Sequence, residues 1–175
     1  MPTIPYLPLD LAEPAELVAS VRARRGGRLL NLDRILLHSP VFTEGWGAFM
    51  GRLRTATSLS PRLRELAICA VAVETRADYE LFQHLPELIA AGASAAEVAA
   101  VQFRDSSALG ATEQAIIALA TEIARDHKPA PATFAAARAA LGSDRAMVEM
   151  VGTIAAYAMV SRILLTFDIE PETAG

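Results

Sequence analysis

The 175-residue chain holds a single cysteine, Cys69. One thiol excludes an internal disulfide and any cluster of cysteine ligands around a metal. Aromatic residues make up only 6% of the chain, and no segment alternates apolar and polar residues between strand-like turns, so a sheet has little to be built from. Charged residues reach 21%, and the net charge of −4 argues against non-specific nucleic-acid binding by the whole surface. The longest uncharged apolar stretch near the C-terminus, Met150 to Ser161, is too short to span a bilayer. Met1 to Leu11 lacks a positive region followed by an apolar run, so no secretory signal is expected. Together these absences predict a soluble, cytoplasmic protein with neither nucleic acid nor membrane as partner.

What is present favours helices. Apolar residues form 53% of the chain, much of that excess being alanine, the best helix former. Pro2, Pro5 and Pro8 predict an extended N-terminal arm over residues 1–12. A first helix is expected from Glu13-Pro14 to Gly26-Gly27, and a short amphipathic segment from Leu29 to His38. Val41 to Thr55 reads as a helix despite Gly45, Gly47 and Gly51, whose spacing would let another backbone approach closely. Ser60-Pro61 opens a helix that enters the apolar run Leu66 to Val73, a run that points to burial on most sides. Thr75 to Asp78 has the spacing of a capping box and opens a helix ending at Gly92, and Ser94 to Glu97 repeats the device. A loop is expected over Arg104 to Gly110, then helices over Thr112 to His127 and Phe134 to Leu141, and a long last helix from the Ser143 cap to about Phe167. The expectation is one all-α domain, a helical bundle over residues 1–175.

Two places on this scaffold could carry chemistry. Glu80 and His84 stand four apart on one helix and share a face. Leu81, Leu85, Leu88 and Ile89 form the core-facing arc there, which puts His84 at its border and Glu80 a step further out. Glu65 has Ile68, Cys69 and Ala72 on its own face, so its carboxylate must find a partner or shift its pKa upward. Carboxylates and histidines in partly dry clefts suit proton transfer. A surface pair for Glu80 and His84, and a buried charge on Glu65 held by Arg62 or Arg162, explain the same pattern without chemistry. His38 and His127 lie at helix ends, where an imidazole favours the dipole. A metal site from the trio lacks a second histidine nearby, so none is expected. Arg22, Arg24, Arg25 and Arg28 read as a solvated basic face. Tyr79, Gln83, Trp46 and Arg162 are candidate substrate contacts; Trp46 and Phe49, three apart, read equally as core or pocket wall, and Tyr157 with Arg162 on the last helix is placed to face the cleft.

The segment Leu59 to Gly92, with Glu65 nineteen residues before His84, resembles the core of the carboxymuconolactone decarboxylase and alkylhydroperoxidase D-like (AhpD-like) family. Glu149 to Phe167 resembles that family's terminal helix. The resemblance implies a homo-oligomer, a trimer or hexamer. The peroxidase branch carries cysteines seven and four before the histidine; here those positions are Ala77 and Glu80, which disfavours thiol-dependent peroxidase activity. The decarboxylase branch has glutamate four before the histidine, as here. It implies a cofactor-independent lyase acting on a small carboxylated or lactone substrate, with His84 as proton shuttle, Glu80 orienting or tuning it, and Glu65 as buried acid or base. The chain is longer than the family's decarboxylases, which implies a different ligand. A non-catalytic oligomeric binding or scaffold protein on the same fold is the alternative.

Overall fold

The computed structural model describes residues 2–172. Among them are nine α-helices and no strand: α1 (Ala15–Arg24), α2 (Asn31–Leu36), α3 (Pro40–Thr55), α4 (Pro61–Thr75), α5 (Asp78–Ala90), α6 (Ala95–Phe103), α7 (Ala111–Asp126), α8 (Pro131–Leu141) and α9 (Asp144–Thr166). The all-helical expectation holds. The chain divides into two compact units, one of Met1–Ala56 with Leu164–Gly175 and one of Thr57–Ile163.

The first unit is organised around Val18, Val21, Leu29 and Leu37, with Leu7, Leu11 and Leu17 packed against them. Its N-terminal arm is extended, as its prolines require, and is tied down by polar contacts. Arg34 Nε donates to the Leu7 carbonyl at 2.5 Å while its guanidinium lies over the Tyr6 ring, 4.8 Å from the centroid. His38 meets the Pro5 carbonyl at 2.8 Å, so its ring serves the arm. The basic face is likewise structural: Arg22 donates to the carbonyls of Leu9 and Leu11, and Arg25 pairs with Asp33 at 3.3 Å. Gly47 does permit a close approach, but by a side chain. A Cβ there would stand 2.6 Å from Arg24 Nη1, whereas nothing lies within 4 Å of one added at Gly45 or Gly51.

The second unit is built on α4, which packs chiefly against α5 and α7. Its residues from Glu65 to Ala72 are all buried, as the apolar run predicts. Leu66, Cys69, Leu88 and Val101 form the core there. Arg62, at the start of α4, pairs with Glu97 on α6 and with Glu113 on α7, the latter at 2.8 Å. Glu97 also closes the predicted capping box with Ser94. The box expected at Thr75 to Asp78 does not form. Thr75 is the last residue of α4, where its hydroxyl donates to the Val71 carbonyl at 2.8 Å, and Ala77 takes the N-cap of α5. Arg76 ends α4 in the left-handed region, φ 60°, and reverses the chain into α5. Helix α8 begins at Pro131 rather than Phe134, because proline fits the first turn.

Helix α9 starts after Ser143, whose hydroxyl accepts from the Ala146 N–H at 3.1 Å as a cap. At 23 residues it is longer than the uncharged stretch inside it, and by length and composition it is apolar enough to cross a membrane. Half of that apolar window is buried inside the protein.

Candidate functional site

Glu65 sits just past the first turn of α4, where the polar opening of the helix gives way to the apolar run. Only 4% of it is exposed. A carboxylate so placed must be matched, and two groups match it. His84 Nδ1 lies 2.8 Å from Glu65 Oε2, and Arg64 Nε donates to Oε1 at 3.3 Å. Neither Arg62 nor Arg162 plays the part expected of it. Arg62 is engaged by Glu97 and Glu113, and Arg162 is exposed with Nη1 on the Ala158 carbonyl of its own helix at 2.8 Å. Burial is the largest single influence on the Glu65 carboxyl and pushes it up. The hydrogen bond and charge of His84, with Arg64, outweigh it and hold the pKa below the usual carboxylate value.

Glu80 has the opposite fate. It lies in the first turn of α5 with only 1% of its surface exposed, where the helical arc had placed it further from the core than His84. The buried face of α5 carries Tyr79, Glu80 and Leu88, whereas Ile89 is exposed. The single-arc reading fails because α5 is covered on more than one side. Glu80 Oε2 lies 2.5 Å from the hydroxyl of Ser161 on α9, and no hydrogen-bond partner among the described residues reaches the buried Oε1. Burial raises its pKa to about 8, against a smaller lowering by Ser161. The two carboxyls are thus driven apart: Glu65 is held ionised and Glu80 protonated at neutral pH. Two acids with divergent pKa values in one neighbourhood are a mark of acid–base sites.

His84 is the most open of the three, its side chain 13% exposed against 6% for that of Glu65. Its ring meets the Tyr157 ring edge-on, with centroids 4.8 Å apart. The pairing expected within α5, Glu80 with His84, is replaced by one across helices, Glu65 with His84. With Glu65 ionised, Nδ1 must carry the hydrogen that bridges them. Nε2 of the neutral ring is then left as an acceptor, the orientation a general base needs.

Among the other candidates, Tyr79 is buried and Gln83 half-buried, both on α5. Trp46 is buried on α3 of the first unit, its ring 6.0 Å from that of Phe42. Phe49 is exposed on the same helix. Cys69 is fully buried, and burial, then the charges of Glu65 and Glu80, push its thiol up. Among the described residues no group of three or more histidine, cysteine, aspartate and glutamate side chains is arranged to hold a metal ion. Ser161 was not singled out in the sequence. Its only signal is a hydroxyl in an otherwise apolar stretch, four residues after Tyr157.

Residues 40–113 match the model of the carboxymuconolactone decarboxylase family. Several solved structures share the fold, among them the following two. An uncharacterised peroxidase-related protein from Silicibacter sp. TM1040 superposes with a TM-score of 0.81 at 17% identity, covering 98% of this chain and 94% of the other. A protein of unknown function from Agrobacterium tumefaciens, suggested to be an antioxidant defence protein AhpD, gives 0.70 at 20% identity, covering 80% of this chain and 97% of the other. No curated protein matches.

Proposed function

We propose that this chain, whose residues 40–113 match the model of the carboxymuconolactone decarboxylase family, is a cofactor-independent proton-transfer enzyme of the lyase type. Its substrate is a small carboxylated or lactone compound. The observation that carries this reading is the 2.8 Å contact of His84 Nδ1 with the ionised Glu65, beside a second carboxyl held neutral. His84 is the group that meets the substrate. Glu65 orients its ring and stabilises the imidazolium form, as a buried carboxylate does behind a catalytic histidine. Glu80 supplies a neutral carboxyl and keeps the site from accumulating a second negative charge.

In a decarboxylation the bond to the carboxylate breaks and carbon dioxide leaves. The electron pair stays on the substrate as a dienolate spread into its carbonyl. His84, once its free Nε2 has taken a proton from solvent to form the imidazolium that Glu65 stabilises, delivers that proton from Nε2 to carbon and returns to the neutral ring. No organic cofactor is required where the substrate is its own electron sink. Peroxide reduction through paired thiols has no footing here, since Ala77 and Glu80 stand where the cysteines would be. Gln83, next to the reacting histidine in sequence, and Tyr79, next to Glu80, are assigned to substrate positioning. Exposed apolar side chains, among them Val41, Phe82 and Phe103, support assembly with further copies of the chain.

A thermal-shift and turnover screen of lactones, keto acids and aromatic acids tests the reading on wild type, His84→Ala and Glu65→Gln. A ligand that stabilises the wild type, not the variants, and is consumed by it supports the assignment. If no compound binds and both variants fold normally, the catalytic reading fails in favour of a scaffold.

A further inference from the structure

The geometry points to Ser161 as a positioning residue: a hydroxyl rotor that lets the sealed Glu80 carboxyl change charge with no heavy atom moving. Its place in catalysis rests on the proton-transfer reading above, although its action on Glu80 does not.

The Ser161 oxygen lies 2.5 Å from Glu80 Oε2 and 3.0 Å from the Tyr157 carbonyl, and Ser161 is fully buried. Three oxygens stand in a row and the hydroxyl brings one hydrogen. Both contacts are hydrogen bonds only if Glu80 contributes the second, donating to Ser161 while Ser161 donates to Tyr157. When Glu80 gives its proton up, the serine hydrogen can turn from the carbonyl to the carboxylate. The Tyr157 carbonyl tolerates that loss, because it keeps the helical bond from the Ser161 N–H. Each charge state of Glu80 therefore finds a partner on the same atom.

A fixed donor or fixed acceptor at this place would favour one state only. The buried Oε1, with no partner among the described residues, favours the neutral form at rest, since an ionised oxygen there would lack a donor. Of the titratable groups facing Glu80, Cys69 on α4 is close enough to feel its charge and is itself held neutral. Glu65, also on α4, is committed to His84 and Arg64. On α9, Tyr157 lies against the His84 ring, and Arg162 is turned back onto its own helix. No cation among them competes with Ser161 for the carboxylate.

Removing the hydroxyl takes a donor from the ionised form and an acceptor from the neutral one. The bond to the charged form is the stronger, so the net effect is upward. The test follows the Glu80 carboxyl by carbon-13 NMR on glutamate-labelled protein across pH, with Glu80→Gln assigning the signal. Wild type is expected to titrate near 8. In Ser161→Ala the midpoint rises by about one unit, roughly tenfold in the acid constant. Ser161→Cys, a weaker donor of similar size, shifts it the same way by less, and keeps the test open if the alanine variant folds poorly. With a substrate in hand, the alkaline limb of the rate profile moves with the midpoint. Identical midpoints in wild type and both variants would overturn the inference. A shifted midpoint in a protein that turns over nothing would keep Ser161's role while removing the catalytic reading.

Discussion

His84 and Glu65 stand nineteen residues apart in sequence and 2.8 Å apart in space, across the pair of helices that Arg76 and Ala77 join. Replacing Glu65 by glutamine keeps the shape and removes the charge that fixes the imidazole. We expect turnover to fall by about a hundredfold or more in side-by-side kinetics, in a variant that still folds but melts at a lower temperature by calorimetry. Equal rates would remove Glu65 from the mechanism.

Glu80 imposes a pH dependence on stability. Its folded pKa is raised to about 8, so between the ordinary carboxylate range and 8 the folded chain holds a proton that the unfolded chain has released. Its contribution is complete below that window, is lost as pH rises through it, and levels off above. Denaturant titrations across pH should show this slope in wild type and not in Glu80→Gln.

Glu65 acts in the opposite sense. Its folded pKa is depressed, so its contribution is present above the ordinary carboxylate range and disappears as pH falls through the lower folded value. Acid unfolding of Glu65→Gln should therefore begin from a less stable protein at neutral pH and show a shallower acid limb. A steeper limb would contradict the pairing with His84.

Cys69 should behave as an inert small hydrophobe. Fully buried and with its thiol pushed up, it presents almost no thiolate at neutral pH. A thiol reagent is expected to label it only after denaturation, and peroxide should be consumed no faster with the protein and a reductant than without. Rapid native labelling would show that α4 opens.

Arg62 carries a structural load rather than a catalytic one. It holds Glu97 and Glu113 at the starts of α6 and α7, and Glu97 is itself buried. Arg62→Ala leaves that carboxylate without its cation and is expected to cost about 1–3 kcal/mol in chemical denaturation, with any activity retained.

Local chemistry made much of this fold legible beforehand. Ser60-Pro61, Ser94 with Glu97, and Ser143 mark helix starts through groups that act within one turn, and each start lies where they put it. Glu65 was conspicuous because a carboxylate among Ile68, Cys69 and Ala72 has no local partner. What could not be read was which distant group completes it. Arg62, Arg64 and Arg162 look alike in a linear chain, and only packing sends Arg62 to Glu97 and leaves Arg64 for Glu65. The depth of Glu80 was hidden for the same reason. A helical wheel assumes one buried arc, whereas Ser161, eighty-one residues later, seals the carboxyl from another side.

The central claim is that His84 holds its proton on Nδ1 toward an ionised Glu65 and keeps Nε2 open for the substrate. Nitrogen-15 NMR of the His84 ring reads this directly. The account predicts a protonated Nδ1 and an unprotonated Nε2 in the neutral ring of the wild type, with that preference lost in Glu65→Gln. A neutral ring protonated on Nε2 would contradict it, because Nδ1 could not then donate to the carboxylate.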